Sequence, residues 1–198
     1  RWADIYCACS VAAGEAKYTN SVVKNKLKII KNGINLDKFA YAENTRKIMR
    51  DFLKISDEDF VIGHVGRFSE EKNHKFIITL FKQISLKNKH AKLLLVGEGR
   101  LKAAIYDLVA MNNLEDKVIF TGSVNNVQDY MQAMDFFVFP SKYEGLGMAA
   151  IEAQASGLPC IVSTNCPSDI AVTDLVHFQS LESSLEEWEI MIKKYSYI

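Results

Sequence analysis

The chain has 198 residues, 48% of them hydrophobic, which is enough for one large α/β domain with a packed core and too apolar for a disordered segment. Lys and Arg number 24 against 24 Asp and Glu, so no global field draws in nucleic acid or an anionic membrane. No apolar run approaches the roughly 20 residues that cross a bilayer, and Cys7, Cys9, Cys160 and Cys166, without CxxC or zinc-finger spacing, read as reduced thiols of a cytosolic protein.

The sequence opens on Arg1 rather than Met and runs at once into the apolar, strand-like stretch Trp2–Ser10. The expectation is a piece of a longer protein, with any signal or transit segment lying before it. Leu27–Ile30 reads as a strand closed by the Asn32-Gly33 turn, beside a basic edge of Lys24, Lys26, Lys28 and Lys31 that reads as a solvated strand face. Thr45–Leu53 reads as a helix with Ile48, Phe52 and Leu53 on its apolar side. A strand, loop and helix then recur: Phe60–Val65 with His74–Lys87, Leu93–Val96 with Leu101–Met111, Val118–Phe120 with Val127–Met134, and Phe136–Phe139 with Met148–Ala155. Cys160–Ser163 adds a further strand before a less regular stretch, and a last helix carries Leu185, Trp188, Ile192 and Tyr195 on one face. Near-continuous apolar strands separated by helices predict an α/β fold: a Rossmann-like parallel sheet with helices on both faces.

In such a sheet ligands collect outside the carboxyl ends of the strands. Four loops belong there: Gly66–Lys72, Gly97–Gly99, Gly122–Val124 and Pro140–Gly147. Arg67 offers a planar fork and Lys72 a mobile point charge, a pair suited to a diphosphate leaving group; two solvated cations paired with Glu70 and Glu71 would look the same in sequence. In the run Tyr143–Glu152, Gly145 and Gly147 let backbone approach an anion where a helix begins, and Glu144 and Glu152 would bracket it and accept hydrogen bonds from sugar or ribose hydroxyls. Gly97-Glu98-Gly99 after a strand points to a nicotinamide dehydrogenase, but the third glycine of that fingerprint is missing. His64, His74, His90 and His177 show no metal-ligand spacing and no nucleophile motif; His64 on an apolar strand reads as a core residue, and Asp135 as packing or capping.

The series Asn32-Gly33-Ile34-Asn35 with Phe39, Val65-Gly66-Arg67 with Lys72-Asn73, Leu95–Gly99, Phe120-Thr121-Gly122, and Phe139-Pro140-Ser141 with Glu144-Gly145 through Glu152-Ala153 and Gly157-Leu158-Pro159 resembles the C-terminal domain of family 4 glycosyltransferases of GT-B fold. Ile161–Ser163 and Asp169–Leu175 are similar to bacterial capsular and exopolysaccharide transferases. The resemblance implies transfer of a sugar, with retention and without a metal, from a nucleotide diphosphate donor, UDP by default, in a cleft between two Rossmann-like domains. It implies that Arg67 and Lys72 bind the diphosphate, Glu144 orients the transferred sugar and Glu152 holds the ribose. The amides of Gly145, Leu146 and Gly147 would meet phosphate or sugar, and Gly66, Gly97, Gly122 and Val124 would complete the donor site, the last two towards the base.

On this reading residues 1–24 end an N-terminal domain or interdomain segment, 25–180 form the nucleotide-sugar-binding domain and 181–198 a docking helix. The family's N-terminal domain, which holds a glycan or lipid-linked acceptor, is not in the sequence, so the chain alone is expected to be inactive. The expected location is cytoplasmic, with peripheral contact at the inner face of the plasma membrane in the longer protein. A non-catalytic nucleotide-sugar-binding module of the same fold is the rival reading, and a sugar-nucleotide epimerase a further one.

Overall fold

The computed structural model describes residues 3 and 5–196; Arg1, Trp2, Asp4, Tyr197 and Ile198 lie outside the described residues, and with them the outer ends of the stretches expected at 1–24 and 181–198. Strand β1 (Tyr6–Ala8), helices α1 (Val11–Glu15) and α2 (Asn20–Asn25) and strand β2 (Leu27–Ile29) come first, and β1 and β2 pair in parallel as a small sheet of their own. Lys24, Lys26, Lys28 and Lys31 are all exposed along this unit, as a solvated edge should be. Two helices follow, α3 (Leu36–Phe39) and α4 (Glu43–Phe52).

The remaining strands are β3 (Phe60–Val65), β4 (Ala91–Val96), β5 (Val118–Gly122), β6 (Phe136–Phe139), β7 (Cys160–Ser163) and β8 (Val176–Gln179). They form one parallel sheet in the order β5-β4-β3-β6-β7-β8. Helices α5 (His74–Lys87), α6 (Lys102–Met111), α7 (Val127–Gln132) and α8 (Met148–Ala155) connect them, and α9 (Leu185–Tyr195) closes the chain. The chain moves outward from β3 to β5, returns to place β6 on the other side of β3, and then moves outward again to β8. The order therefore reverses between β3 and β6, the crevice where open α/β sheets bind ligands.

Alternate residues of each strand enter two cores, as the period of two requires. Ile62, Leu93, Leu95, Phe136 and Val138 pack with Leu80, Ile105, Trp188 and Ile192 on one face. Val61, Leu94, Val96, Phe137 and Phe139 pack with Met49, Met131, Ala150 and Ala153 on the other. The expected parallel sheet covered on both faces is thus present. The terminal helix docks through buried Trp188 and Ile192, and is started by a capping box between Ser184 and Glu187.

Two local readings need correction. At α4 two of the three residues of the expected apolar side face water: Ile48 is 57% and Phe52 67% exposed, while Met49 and Arg50 are buried and, of the three, Leu53 alone packs on the second core. The face is chosen by two arginines. Arg50 donates to the carbonyls of Ala133, Ser56 and Asp59, and Arg46 to those of Gln132 and Met134; both pair with Asp135, which also accepts from the Val61 amide. Buried polar groups with full partners outweigh the modest transfer energy of two exposed apolar side chains. Strand β8 went unread because its half-buried Val-His-Phe-Gln is defined by pairing with β7, not by an apolar run.

Candidate functional site

The loops after β3 and β6 meet at the reversal point. After Gly66, a 3-10 turn (Glu70–Lys72) leads into α5 through Asn73, which has φ 55° and donates from Nδ2 to the Pro140 carbonyl at 3.2 Å. The Lys142 amide donates to the Glu71 carbonyl at 2.8 Å, so the two loops are tied at two points. Lys72 then reaches across: its Nζ lies 2.5 Å from Glu144 Oε1 and 4.9 Å from the centroid of the Phe139 ring. The charge of Lys72 is directed by a carboxylate and an aromatic face of the neighbouring strand, and not by Glu70 or Glu71. Arg67 is exposed, and its guanidinium makes no ion pair or hydrogen bond among the described residues.

Beyond Glu144 the chain turns into α8. Gly147 has φ +81°, and a Cβ there would stand 2.4 Å from Ile170 Cδ1, so both conformation and space demand glycine. The helix start has no side-chain cap, and the amides of Gly145, Leu146 and Gly147 donate to no backbone acceptor among the described residues. They are backbone donors left without a backbone partner directly after Glu144, which holds the ammonium of Lys72. Glu152, in the second turn of α8, is half-buried, and burial raises its pKa. It has no protein partner among the described residues, whereas Glu144 is held by Lys72.

Gly97 and Gly122 sit one and two strands further out, where the Gly97 amide donates to the Gly122 carbonyl at 2.9 Å. Gly97 has φ +134°, and a Cβ on it would lie 2.1 Å from the Gly66 carbonyl oxygen. The Gly97-Glu98-Gly99 spacing thus serves close approach of the β4 loop to the β3 loop, which explains it without a dinucleotide. Val124 is partly buried against the second core face. Among the described residues no group of three or more His, Cys, Asp or Glu side chains could hold a metal ion.

Beneath the loops lie residues that sequence reasoning treated as core or left unread. His64 is fully buried, and its Nδ1 lies 2.9 Å from the Val138 carbonyl, its ring meeting that of His74 edge-on at 4.9 Å. Burial first, then His74 and Lys72, hold His64 well below the ordinary imidazole range, while burial and Lys72 bring His74 down to about 4. Both are neutral, so Nδ1–H of His64 donates to Val138. Phe139, whose ring lies under Lys72, had no side-chain role in the sequence reading; Ser10, whose hydroxyl donates to the Gly145 carbonyl, read as the end of a strand. A serine before an apolar run is a helix-start signature that could have flagged it.

Comparison with known proteins bears on the family and the fold. The profile of one family, described as Glycosyl transferases group 1, matches residues 45–178. The chain is 35% identical over 187 residues to EpsF of Bacillus subtilis (strain 168), named as a glycosyltransferase, covering 92% of this chain and 48% of that protein. It is 35% identical over 141 residues to the UDP-Gal:alpha-D-GlcNAc-diphosphoundecaprenol alpha-1,3-galactosyltransferase of Escherichia coli, covering 70% of this chain and 36% of that one. The chain therefore spans less than half the length of these curated relatives. Among solved structures, Anabaena HepE in complex with UDP and glucose superposes over 98% of this chain and 54% of its own, with a TM-score of 0.82 at 20% identity. The C-terminal domain of a Francisella tularensis group 1 glycosyl transferase, LpcC, superposes with a TM-score of 0.70 at 24% identity, covering 83% of this chain and 92% of that domain.

Proposed function

This chain belongs to the family of group 1 glycosyl transferases, and from that premise we propose that it is the donor-binding half of a retaining enzyme that moves a sugar from a UDP-sugar to a glycan or lipid-linked acceptor. One observation carries the reading. At the reversal of strand order, Lys72 lies 2.5 Å from Glu144, which stands four residues before the uncapped start of α8 at Met148.

Breaking a sugar–phosphate bond leaves charge on the diphosphate, and preorganised donors aimed at that charge lower the barrier. Arg67, Lys72 and the amides of Gly145, Leu146 and Gly147 are the donors, with Gly66, Gly97, Gly122 and Val124 shaping the groove around nucleotide and base. With these groups bearing the charge, the reaction is proposed to proceed without a metal. Lys72 exchanges its carboxylate for phosphate when donor binds, which frees Glu144 to accept from the transferred sugar's hydroxyls. Glu152, whose carboxylate has no protein partner among the described residues, accepts from the ribose. UDP is the nucleotide of choice because it occupies the HepE structures and stands in the name of the Escherichia coli relative. That relative's name also carries a lipid-linked acceptor, which supports an acceptor presented at the inner face of the membrane to a cytoplasmic enzyme.

An acceptor must be held in near-attack geometry with bulk water excluded. The strand-end groove supplies one wall, so the acceptor wall belongs to sequence that the longer relatives carry and this chain does not. Calorimetry with UDP and GDP tests the donor half: the chain binds UDP, and an Arg67→Ala/Lys72→Ala double variant does not. Binding unchanged in that variant removes this loop from the site. For the whole reaction, the chain alone releases no UDP from a UDP-sugar with lipid-linked acceptor, and a version extended to the length of its relatives does. An extended protein that binds donor but never turns over points to a sensing module.

A further inference from the structure

We propose that Ser10 is a positioning residue for the donor diphosphate, a latch by which the β1–α1–β2 unit sets the direction of an amide in the Gly145–Gly147 turn. The inference rests on the reading of that turn as a phosphate site and adds what holds it. Ser10 is 1% exposed and stands at the start of α1, where its Oγ accepts from the Ala13 amide at 3.0 Å and donates to the carbonyl of Gly145, 135 residues away. Both roles of the hydroxyl are used.

The consequence follows from the planarity of the peptide. In a trans peptide the C=O and the next N–H point in opposite directions. Fixing the Gly145 carbonyl on Ser10 therefore fixes the Leu146 N–H pointing away from Ser10. Leu146 N–H donates to no backbone acceptor among the described residues and lies two residues along the chain from Glu144, the partner of Lys72, so the hydroxyl selects which side of this peptide the ligand meets. A glycine-flanked turn has many conformations of its own, and holding one of them removes an ordering cost from binding.

The latch is seated firmly. Residue 145 meets the same helix from its Cα side, since a Cβ there would stand 3.3 Å from Ala13 Cβ. At the other side of α1, Gly14 is buried so closely on β2 that a Cβ would fall 2.4 Å from Leu27 Cδ2. A shift of the two-stranded unit thus reaches Gly145 through a short helix packed at both contacts. The small sheet and the donor turn move together, and donor affinity reports the position of that unit.

Titration of the chain with UDP and with uridine, for wild type, Ser10→Ala and Ser10→Thr, tests this. One oriented donor lost predicts UDP binding about three- to tenfold weaker in Ser10→Ala, uridine binding unchanged, and UDP binding retained in Ser10→Thr. Ser10→Ala also removes the α1 cap, so a second variant approaches the junction from the other side. Gly145→Ala, with its methyl against Ala13, weakens UDP in the same way, and Ala13→Gly in that background restores it. Ser10→Ala binding UDP like wild type while Arg67→Ala loses it overturns the latch and leaves the donor site standing. Equal losses for UDP and uridine overturn it as well. A wild-type chain that binds no UDP rejects the donor site and the latch together.

Discussion

Two arginines at opposite ends of the same sheet show how this fold separates structure from chemistry. Arg50, at the amino end, is 4% exposed and donates to three carbonyls while pairing with Asp135. Arg67, at the carboxyl end, is exposed and pairs with nothing among the described residues. Five residues on, Lys72 pairs with the Glu144 carboxylate, and the amides of Gly145, Leu146 and Gly147 donate to no backbone acceptor among the described residues. Charge at the amino end is consumed in holding α4 on the sheet. At the carboxyl end Arg67 is left unpaired among the described residues, at the point between β3 and β6 where the strand order reverses.

The largest expected effect breaks the closed end. Asp135→Ala leaves Arg50 buried without its charge partner, and loss of one member of a buried pair costs about 3 kcal/mol. Urea unfolding should show that loss, with UDP affinity of the remaining folded protein unchanged. A loss below 1 kcal/mol would mean that the carbonyls alone satisfy both arginines.

At the open end the outcome reverses. Arg67→Ala leaves stability as it is and weakens UDP about ten- to a hundredfold, the range for a charge-assisted contact. A variant that unfolds more easily but binds UDP normally would place Arg67 with the structural arginines.

Between the ends, under Lys72, lie two neutral histidines. Their folded pKa values are depressed, to about 4 for His74, so the stability they contribute is present above the unfolded value near 6.5 and is lost as pH falls from there through 4. His74 contributes a slope of up to about 1.4 kcal/mol per pH unit inside that window. His74→Phe should flatten the dependence of unfolding free energy on pH between 6 and 5 by about 1 kcal/mol per unit. An unchanged slope assigns the protons elsewhere.

The smallest effect sharpens the open end itself. Glu152→Gln should weaken UDP and a UDP-sugar alike by a fewfold, whereas Glu144→Gln spares UDP and weakens only the sugar-bearing ligand. Calorimetry with both ligands reads the difference. Equal losses of UDP in the two variants would remove Glu144 from the sugar.

Much of this was legible in the chain. The apolar runs at Phe60–Val65, Phe136–Phe139 and Cys160–Ser163 coincide with strands, because a strand buried on both faces has no polar side to disguise it. Glycine at 147 and the candidates Arg67, Lys72, Glu144 and Glu152 were also readable, since turn chemistry and charge type are local. Their sharing one end of the sheet followed from strand polarity alone. The buried face of α4, the edge strand β8 and the hydroxyl of Ser10 were not, because each is defined by a partner outside its own segment, 16 residues away for β8, 85 for Arg50 and 135 for Ser10. The adjacency of β3 and β6 was decided by topology alone, and it is what brings Lys72 to Glu144 across 72 residues of chain. A sequence lists which groups can bind a diphosphate; only the order of strands says which of them stand within a hydrogen bond of each other, because that order is selected by two packed cores and not by any neighbour in the chain.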